Sequence, residues 1–357
     1  MVSETASALL SAVFGALASI LVSLAIERLG GLLGGCLAST PSTIIPATWG
    51  IWWSLVDGAA PSTRHHGLVK FQRATLVIPS GLVCTAVFLT GWRYFPVWLQ
   101  RWRPTMRVGV MLAVVATATM GVWLIGAIAI VFVLRAVVKD DEVVPGDDFG
   151  DIMDVPLIPL LVGTISLVVV LATGLVLSWP SGAAPKGKNP VAVTTLLLRG
   201  LLAGVSIGVT IVIANVNEFA GGIASMLPIM FFTSMVSVWL AQGAAVTTGA
   251  IGPLVAGVSS VAAYAIAATF LYAKVGPYWG AVASWAVSVG GVTVPVYGYM
   301  VWRRRVWERR VKMGAGGLSE ETLGAEVEVA AVRELAQDGV VVDVEDLKVG
   351  NDPSISK

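Results

Sequence analysis

Residues 34–41 read GGCLASTP, and residues 221–228 read GGIASMLP. In both, a proline follows the second glycine by six residues, with an Ala-Ser pair between. Each motif follows an apolar run that ends in polar residues. These are Glu27-Arg28 in the first case and Asn215, Asn217 and Glu218 in the second. Each also leads into an apolar-aromatic run that ends at a tryptophan. One motif met twice in one setting points to two copies of one unit.

The composition around the motifs sets the class. The chain has 357 residues, 56% hydrophobic and 13% charged, with mean hydropathy +0.83. A soluble domain is about 45–50% apolar and about 25% charged. This excludes an ordinary soluble enzyme, a disordered chain and a nucleic-acid binder. Thirty-nine glycines without a G-X-Y period exclude collagen. Two cysteines, Cys36 and Cys84, exclude a disulfide scaffold and a Cys-rich zinc module. The expected class is an all-helical, polytopic membrane protein.

A spanning helix takes roughly 20 mostly apolar residues. Nine such runs are read: 6–26, 31–56, 71–91, 108–138, 155–179, 191–214, 219–242, 249–273 and 278–302. The fourth is long enough to tilt or to break near Gly121 or Gly126. Tryptophans gather near the expected ends, among them Trp52, Trp92, Trp102, Trp179 and Trp302. Indole rings favour the headgroup level. The leading MVSET holds no Lys or Arg, so 6–26 reads as an uncleaved first helix rather than a signal peptide. With nine spans, thirteen basic loop residues fall on the side of the C-terminus and six on the other. The positive-inside rule then puts the C-terminus in the cytosol and the N-terminus outside or in a lumen.

The motifs make spans one to four and six to nine two four-helix copies, joined by the fifth span. The copies begin five spans apart, an odd number, so they lie inverted. The expected units are repeat 1 over 1–138, an acidic loop and linker helix over 139–190, repeat 2 over 191–302, and a basic margin with an acidic cytosolic tail over 303–357. Inverted repeats interrupted at matching positions point to a transporter binding site. Pro41 and Pro228 fall about ten and nine residues into their spans, near the midplane. A proline there frees the carbonyl four residues back, Leu37 or Ala224. Pro46 frees Ser42 in the same way. Freed backbone at that depth needs protein, water or ligand. The candidate substrate site is therefore Gly34, Gly35, Leu37, Ser39, Thr40, Pro41 and Ser42 with Gly221, Gly222, Ala224, Ser225 and Pro228. Thr43, Thr233 and Ser234 add hydroxyls beside it. Two plainer readings stand alongside: Gly-Gly pairs as close-packing surfaces, and hydroxyls bonded back to their own helices.

Ionisable groups inside a bilayer are costly and mark function by default. No Asp or Glu falls mid-span, and Arg199 is the one clear internal charge. It lies about 12 Å into its span and either snorkels to the surface or meets an anionic partner. His65 and His66 lie in a loop, so haem ligation is not expected. Paired aspartates, a Ser-His set or a zinc site are not visible in the spans, so no enzyme, cofactor or metal is expected. Glu27, Arg28, Asn215, Asn217 and Glu218 sit at helix turns, as gate residues or as markers of the water boundary.

Seven acids crowd residues 139–154, as a solvated linker or a loose cation attractor without EF-hand spacing. From Gly314 to Lys357 there are ten acids and three bases. Ser319 fits an N-cap there, Gly339 a stop, and Leu323, Val327, Ala331 and Leu335 a narrow apolar stripe.

Each half resembles the small four-helix GlpM-like bacterial inner-membrane proteins. Gly34, Gly35, Ala38, Ser39 and Pro41 carry the resemblance in one half, and Gly221, Gly222, Ala224, Ser225 and Pro228 in the other. It covers roughly 60 residues per half. The inverted layout also looks like that of drug/metabolite transporters, which have 5+5 spans where this chain reads 4+1+4. The expected function is secondary transport of a small polar or amphipathic solute. The alternative is a membrane scaffold or assembly factor working through its acidic tail. Expected partners are membrane lipid, a small-molecule substrate, a protein bound by the tail and a second copy of the chain.

Overall fold

The computed structural model describes residues 4–29, 40–103, 105–138, 156–178, 193–242 and 251–314. Among these residues there are helices and turns and no strand. Helix α1 spans Glu4–Leu29 and α2 spans Ile44–Trp52, the latter continued by a π turn over Trp53–Asp57. A 3-10 turn at Pro61–Thr63 opens α3, Arg64–Trp102. Then come α4, Val108–Val137, α5, Leu157–Leu177, and α6, Val193–Val216. Two pieces follow, α7 at Glu218–Ala224 and α8 at Ile229–Gln242. Last are α9, Ile251–Ser288, a π turn over Val289–Thr293, and α10, Val294–Gly314.

Six segments among the described residues are long and apolar enough to cross a bilayer. The last, Ile251–Trp307, is 57 residues long, too long for one crossing. It breaks at Gly276, whose φ is 79°. Only glycine enters that region without a Cβ penalty, and Pro277 cannot carry the ladder across. The break falls between the eighth and ninth expected spans. Lipid-type surface accompanies this length. Helix α4 is strongly apolar yet mostly unburied, with Ile125 and Phe132 about two-thirds exposed. Apolar faces of that size need a non-aqueous cover. The described residues are all helix and turn, and several long apolar helices fit a membrane-embedded, multi-pass protein.

One local alternative is decided and one local expectation is corrected. Helix α4 runs unbroken through Gly121 and Gly126, so its length is taken up without a kink. Pro46 breaks nothing, because it is the third residue of α2, where an N–H has no intrahelical acceptor. Residues 40–43, which include Pro41, are turn backbone, with Ser42 N–H donating to the Thr40 carbonyl at 2.7 Å, and the part of the second expected span before residue 40 lies outside the described residues. The seventh expected span is likewise two helices, with residues 225–228 between them.

Small residues set the helix pairing. Gly200, Gly204 and Gly208 recur every four residues on α6, opposite Ala8, Ala12 and Ala16 on α1. A Cβ on Gly204 would lie 2.6 Å from the Ala12 carbonyl oxygen, and one on Gly200 3.1 Å from that of Ala16. Numbers rise on one helix as they fall on the other, so α1 and α6 run antiparallel. Close backbone approach is what such stripes provide in lipid. Gly204→Val is expected to separate α1 from α6 and lower the apparent melting temperature in detergent. Gly121→Val, with nothing within 4 Å of its Cβ position, is the neutral control.

Helices α3 and α9 also run antiparallel. Phe71 stacks on Tyr272 at 5.3 Å, and one turn further Thr75 meets Thr269 at 2.8 Å. Helix α5 packs on both. Gly174 of α5 sits where a Cβ would be 2.2 Å from the Ala256 backbone nitrogen. The core lies between these three helices, with Phe71, Leu76, Ile78, Phe88 and Tyr264 wholly buried.

Candidate functional site

A polar seam joins the chain's two halves at the N-terminal end of α3. Ser54, in the π turn after α2, donates to the Asn215 side-chain oxygen at 2.6 Å. The π turn admits an extra residue, which re-aims the side chains that follow it. One layer on, Arg73 Nη1 lies 3.5 Å from Glu218 Oε1, with side chains only 6% and 14% exposed. Gln72 is buried beside Arg73 in the chain. The seam forms where it does because of a local signal. Asn217 is the N-cap of α7, its side chain accepting from the Ala220 N–H at 2.8 Å. Glu218 is then the first residue of that helix, where a negative charge faces the positive end of the dipole.

Deeper in, hydroxyls cluster between α2, α3 and α9. Thr48 meets Tyr264 at 3.2 Å and Tyr272 at 3.0 Å, and the two tyrosines meet at 2.8 Å. Thr48 also donates back to the Ile44 carbonyl at 3.0 Å. The order Tyr264 to Tyr272 to Thr48 to Ile44 uses each hydroxyl proton once. All three side chains are fully buried, so the set holds α2 on α9 without unmet polar atoms. Trp49 Nε1 donates at 3.0 Å to the Pro277 carbonyl, beside the Gly276 break.

Sequence-derived candidates divide into three groups. Gly34, Gly35, Leu37 and Ser39 lie outside the described residues, as do the side chains of Glu27 and Arg28, which close α1. Thr40, Pro41 and Ser42 form the turn before α2, and α2 packs on α1, α6 and α9. Gly221, Gly222, Ala224, Ser225 and Pro228 lie in α7 and the break, whose continuation α8 packs on α6 and α4. Helices α3 and α6 are elements that both segments pack on.

The freed carbonyls at the second break are largely spoken for. Ala224 was expected to be left open by Pro228, but its carbonyl accepts from the Leu227 N–H at 3.0 Å. A tight turn has replaced the helical bond. Ser225 donates to the Gly222 carbonyl at 2.6 Å, and Thr85 of α3 donates to that of Met226 at 3.1 Å. Trp123 Nε1 of α4 donates in turn to Thr85 at 3.2 Å. The Gly-Gly pair packs closely. A Cβ on Gly221 would lie 2.4 Å from Ala214 Cα, and one on Gly222 2.1 Å from the Ala74 carbonyl oxygen.

Arg199 is not the one internal charge. Arg73 and Arg93 are also buried, at 5% and 4% exposure, against 8% for Arg199. Arg199 therefore lies inside the protein rather than reaching out along its surface. Arg93 Nη1 donates to the Leu177 carbonyl at 2.8 Å, tying the C-terminal end of α3 to that of α5. Arg73, Ser54, Thr48, Thr75, Tyr264 and Tyr272 were not among the expected site residues. Their common sequence signal is a polar side chain at the margin of an apolar run, which many boundary residues share. Among the described residues no group of three His, Cys, Asp or Glu side chains could hold a metal. Comparison with protein-family models, curated proteins and solved structures gives no match to this chain.

Proposed function

We propose that the protein is a secondary transporter of a small polar or amphipathic solute, working by alternating access between two inverted four-helix repeats. The observation that carries this is a match of helix boundaries under a single shift. Moving along the chain by 187 residues carries Gly34 onto Gly221 and Pro41 onto Pro228. The same shift carries α1 onto 191–216, where α6 is Val193–Val216, and the start of α3 onto 251, where α9 begins at Ile251, although α9 breaks at Gly276 and α3 does not. It does not carry α4 onto the ninth expected span: 108–137 falls on 295–324, past the start of that span at 278, so the match covers the first three helices of each unit. The matched helices α1 and α6 pack together antiparallel, and so do α3 and α9. That is the relation an axis in the membrane plane imposes on inverted copies.

In this reading the seam is a gate, drawn in its closed form. Ser54 and Arg73 belong to repeat 1, and Asn215 and Glu218 to repeat 2 or its margin. Rocking of one repeat against the other parts the two pairs. The breaks at 40–43 and 225–228 then supply carbonyls and hydroxyls to the solute, and Thr85 holds the Met226 carbonyl while the site is closed.

A cross-link tests this. Ser54→Cys with Asn215→Cys, in a chain lacking Cys36 and Cys84, is expected to form a disulfide across the seam. Uptake of a screened solute panel into proteoliposomes is expected to stop on oxidation and return on reduction. Unchanged uptake by the cross-linked protein would rule out gating at the seam. Single cysteines in 57–70, 139–154, 180–190 and 243–248 report the nine-span map independently. Labelling of 57–70 and 243–248 from the same side would overturn the inverted arrangement.

A further inference from the structure

The C-terminal half of α3 lines a groove of about 370 Å³ with α4 and α5. Its walls are apolar, from Val83 and Val87 on α3 to Val122 on α4 and Val169 on α5, with Thr90 and Tyr94 near one end. Val87, Val122, Val169 and Tyr94 are each more than two-fifths exposed, so the groove opens outward rather than into the bundle. From Val83 to Tyr94 the helix rises about 16 Å, close to half the roughly 30 Å hydrocarbon core. The groove therefore has the length of one leaflet and the polarity of its acyl chains.

The charge at its end names the head group. Val87, Tyr94 and Arg101 are seven residues apart and share one face of α3, with a drift of only about 20° per step. Arg101 stands about 10 Å beyond Tyr94. Arg103 and Arg107 follow in the turn into α4, and all three arginines are exposed. Trp98 and Trp102, 4.8 Å apart between ring centroids and more than half exposed, flank Arg101 and mark the headgroup level at the end of the groove. We infer that this groove and the Arg101, Arg103, Arg107 cluster form a binding site for one anionic phospholipid, its acyl chain in the groove and its phosphate on the arginines. Guanidinium forks match phosphate oxygens, and basic clusters beside helix grooves select anionic heads. This inference stands apart from transport.

The test is native mass spectrometry of the full chain in detergent, with phosphatidylglycerol or phosphatidylcholine added at equal mole fraction. Phosphatidylglycerol adducts are expected to exceed phosphatidylcholine adducts about tenfold, and the joint change Arg101→Gln, Arg103→Gln and Arg107→Gln is expected to remove that preference. Val87→Trp, which fills the groove, is expected to lower retention of both lipids. Equal retention of the two lipids by the unaltered chain would overturn the inference, as would a dimer in the same spectra that retains neither lipid. Should the arginine variant fail to fold, quenching by brominated acyl chains decides instead. Brominated phosphatidylglycerol is expected to quench the unaltered chain more than brominated phosphatidylcholine does. The excess is expected to vanish in Trp98→Phe with Trp102→Phe, and its absence in the unaltered chain would overturn the site.

Discussion

Replacing Glu218 by alanine is expected to destabilise the protein by about 2–3 kcal/mol and to open the seam. The reason is the environment of Arg73. Its side chain is 6% exposed, and the Glu218 carboxylate 3.5 Å away is its ion-pair partner. Removing Glu218 takes one counter-charge from a buried guanidinium, and that loss costs more than the net worth of the pair. Discounting the upper range allows for the longish separation and for the part of Glu218 that water still reaches. Melting in detergent reports the first effect. Labelling of a thiol at Thr75→Cys, two residues beyond Arg73 on α3 and fully buried, reports the second. Its rate is expected to rise about tenfold in Glu218→Ala, equivalent to about 1.4 kcal/mol in the opening equilibrium. The double change Arg73→Met with Glu218→Met is expected to regain stability, since an apolar pair needs no counter-charge. It is also expected to label more slowly than Glu218→Ala, because no buried charge is then left short of a counter-charge for water to reach. Unchanged melting and labelling in Glu218→Ala would show that the pair holds nothing closed.

Gly222→Val is expected to disrupt folding more severely than any other single glycine substitution near the motif. A Cβ there would sit 2.1 Å from the Ala74 carbonyl oxygen and 3.2 Å from Ala74 Cα. Those atoms are backbone of α3 and cannot swing aside as a side chain would. Overpacking against fixed atoms costs on the order of 3 kcal/mol or more. For a chain of this kind that is a fall of about 5–10 °C in apparent melting temperature. Gly222→Val therefore separates two readings of the motif. A fall in stability together with loss of uptake fits close packing that positions α7 and the break after it. Lost uptake with full stability would make Gly222 a direct contact of the solute.

Several features of the fold were legible in the residues because their causes are local. Apolar run length marked α1, α4, α5 and α6 to within a few residues, since a crossing must be as long as the core is thick. Pro228 announced the break between α7 and α8, and Pro41 the turn before α2, because each lacks an N–H wherever it lies. The polar group at 215–218 marked a helix boundary, and Asn217 is its cap. Pro46 misled because its effect depends on where α2 begins. One turn later in the helix it would have broken a bond; at the third position it breaks none.

The site was legible only in part. Lys70 and Arg73 read as two of the six basic loop residues on the side away from the C-terminus, because nothing in that stretch names Glu218, 145 residues from Arg73. Thr48, Tyr264 and Tyr272 each look like an isolated hydroxyl in an apolar run. A threonine that bonds its own helix and one that also meets two tyrosines have the same neighbours in sequence. The Ala224 carbonyl illustrates the reverse: freed in principle by proline, it is claimed by a turn whose geometry depends on how α7 sits against α3.

Sequence alone determined the solvent, the helical class and the places where helices must stop, because hydrophobic length, missing donors and capping side chains act within a turn or two of the chain. Tertiary structure alone decided which polar groups are buried together. Arg73 and Glu218, Ser54 and Asn215, and Thr48 with its tyrosines are pairings of distant residues, chosen by glycine and alanine faces that bring backbones close. Their energies come from a low-dielectric interior that exists only once the helices have packed.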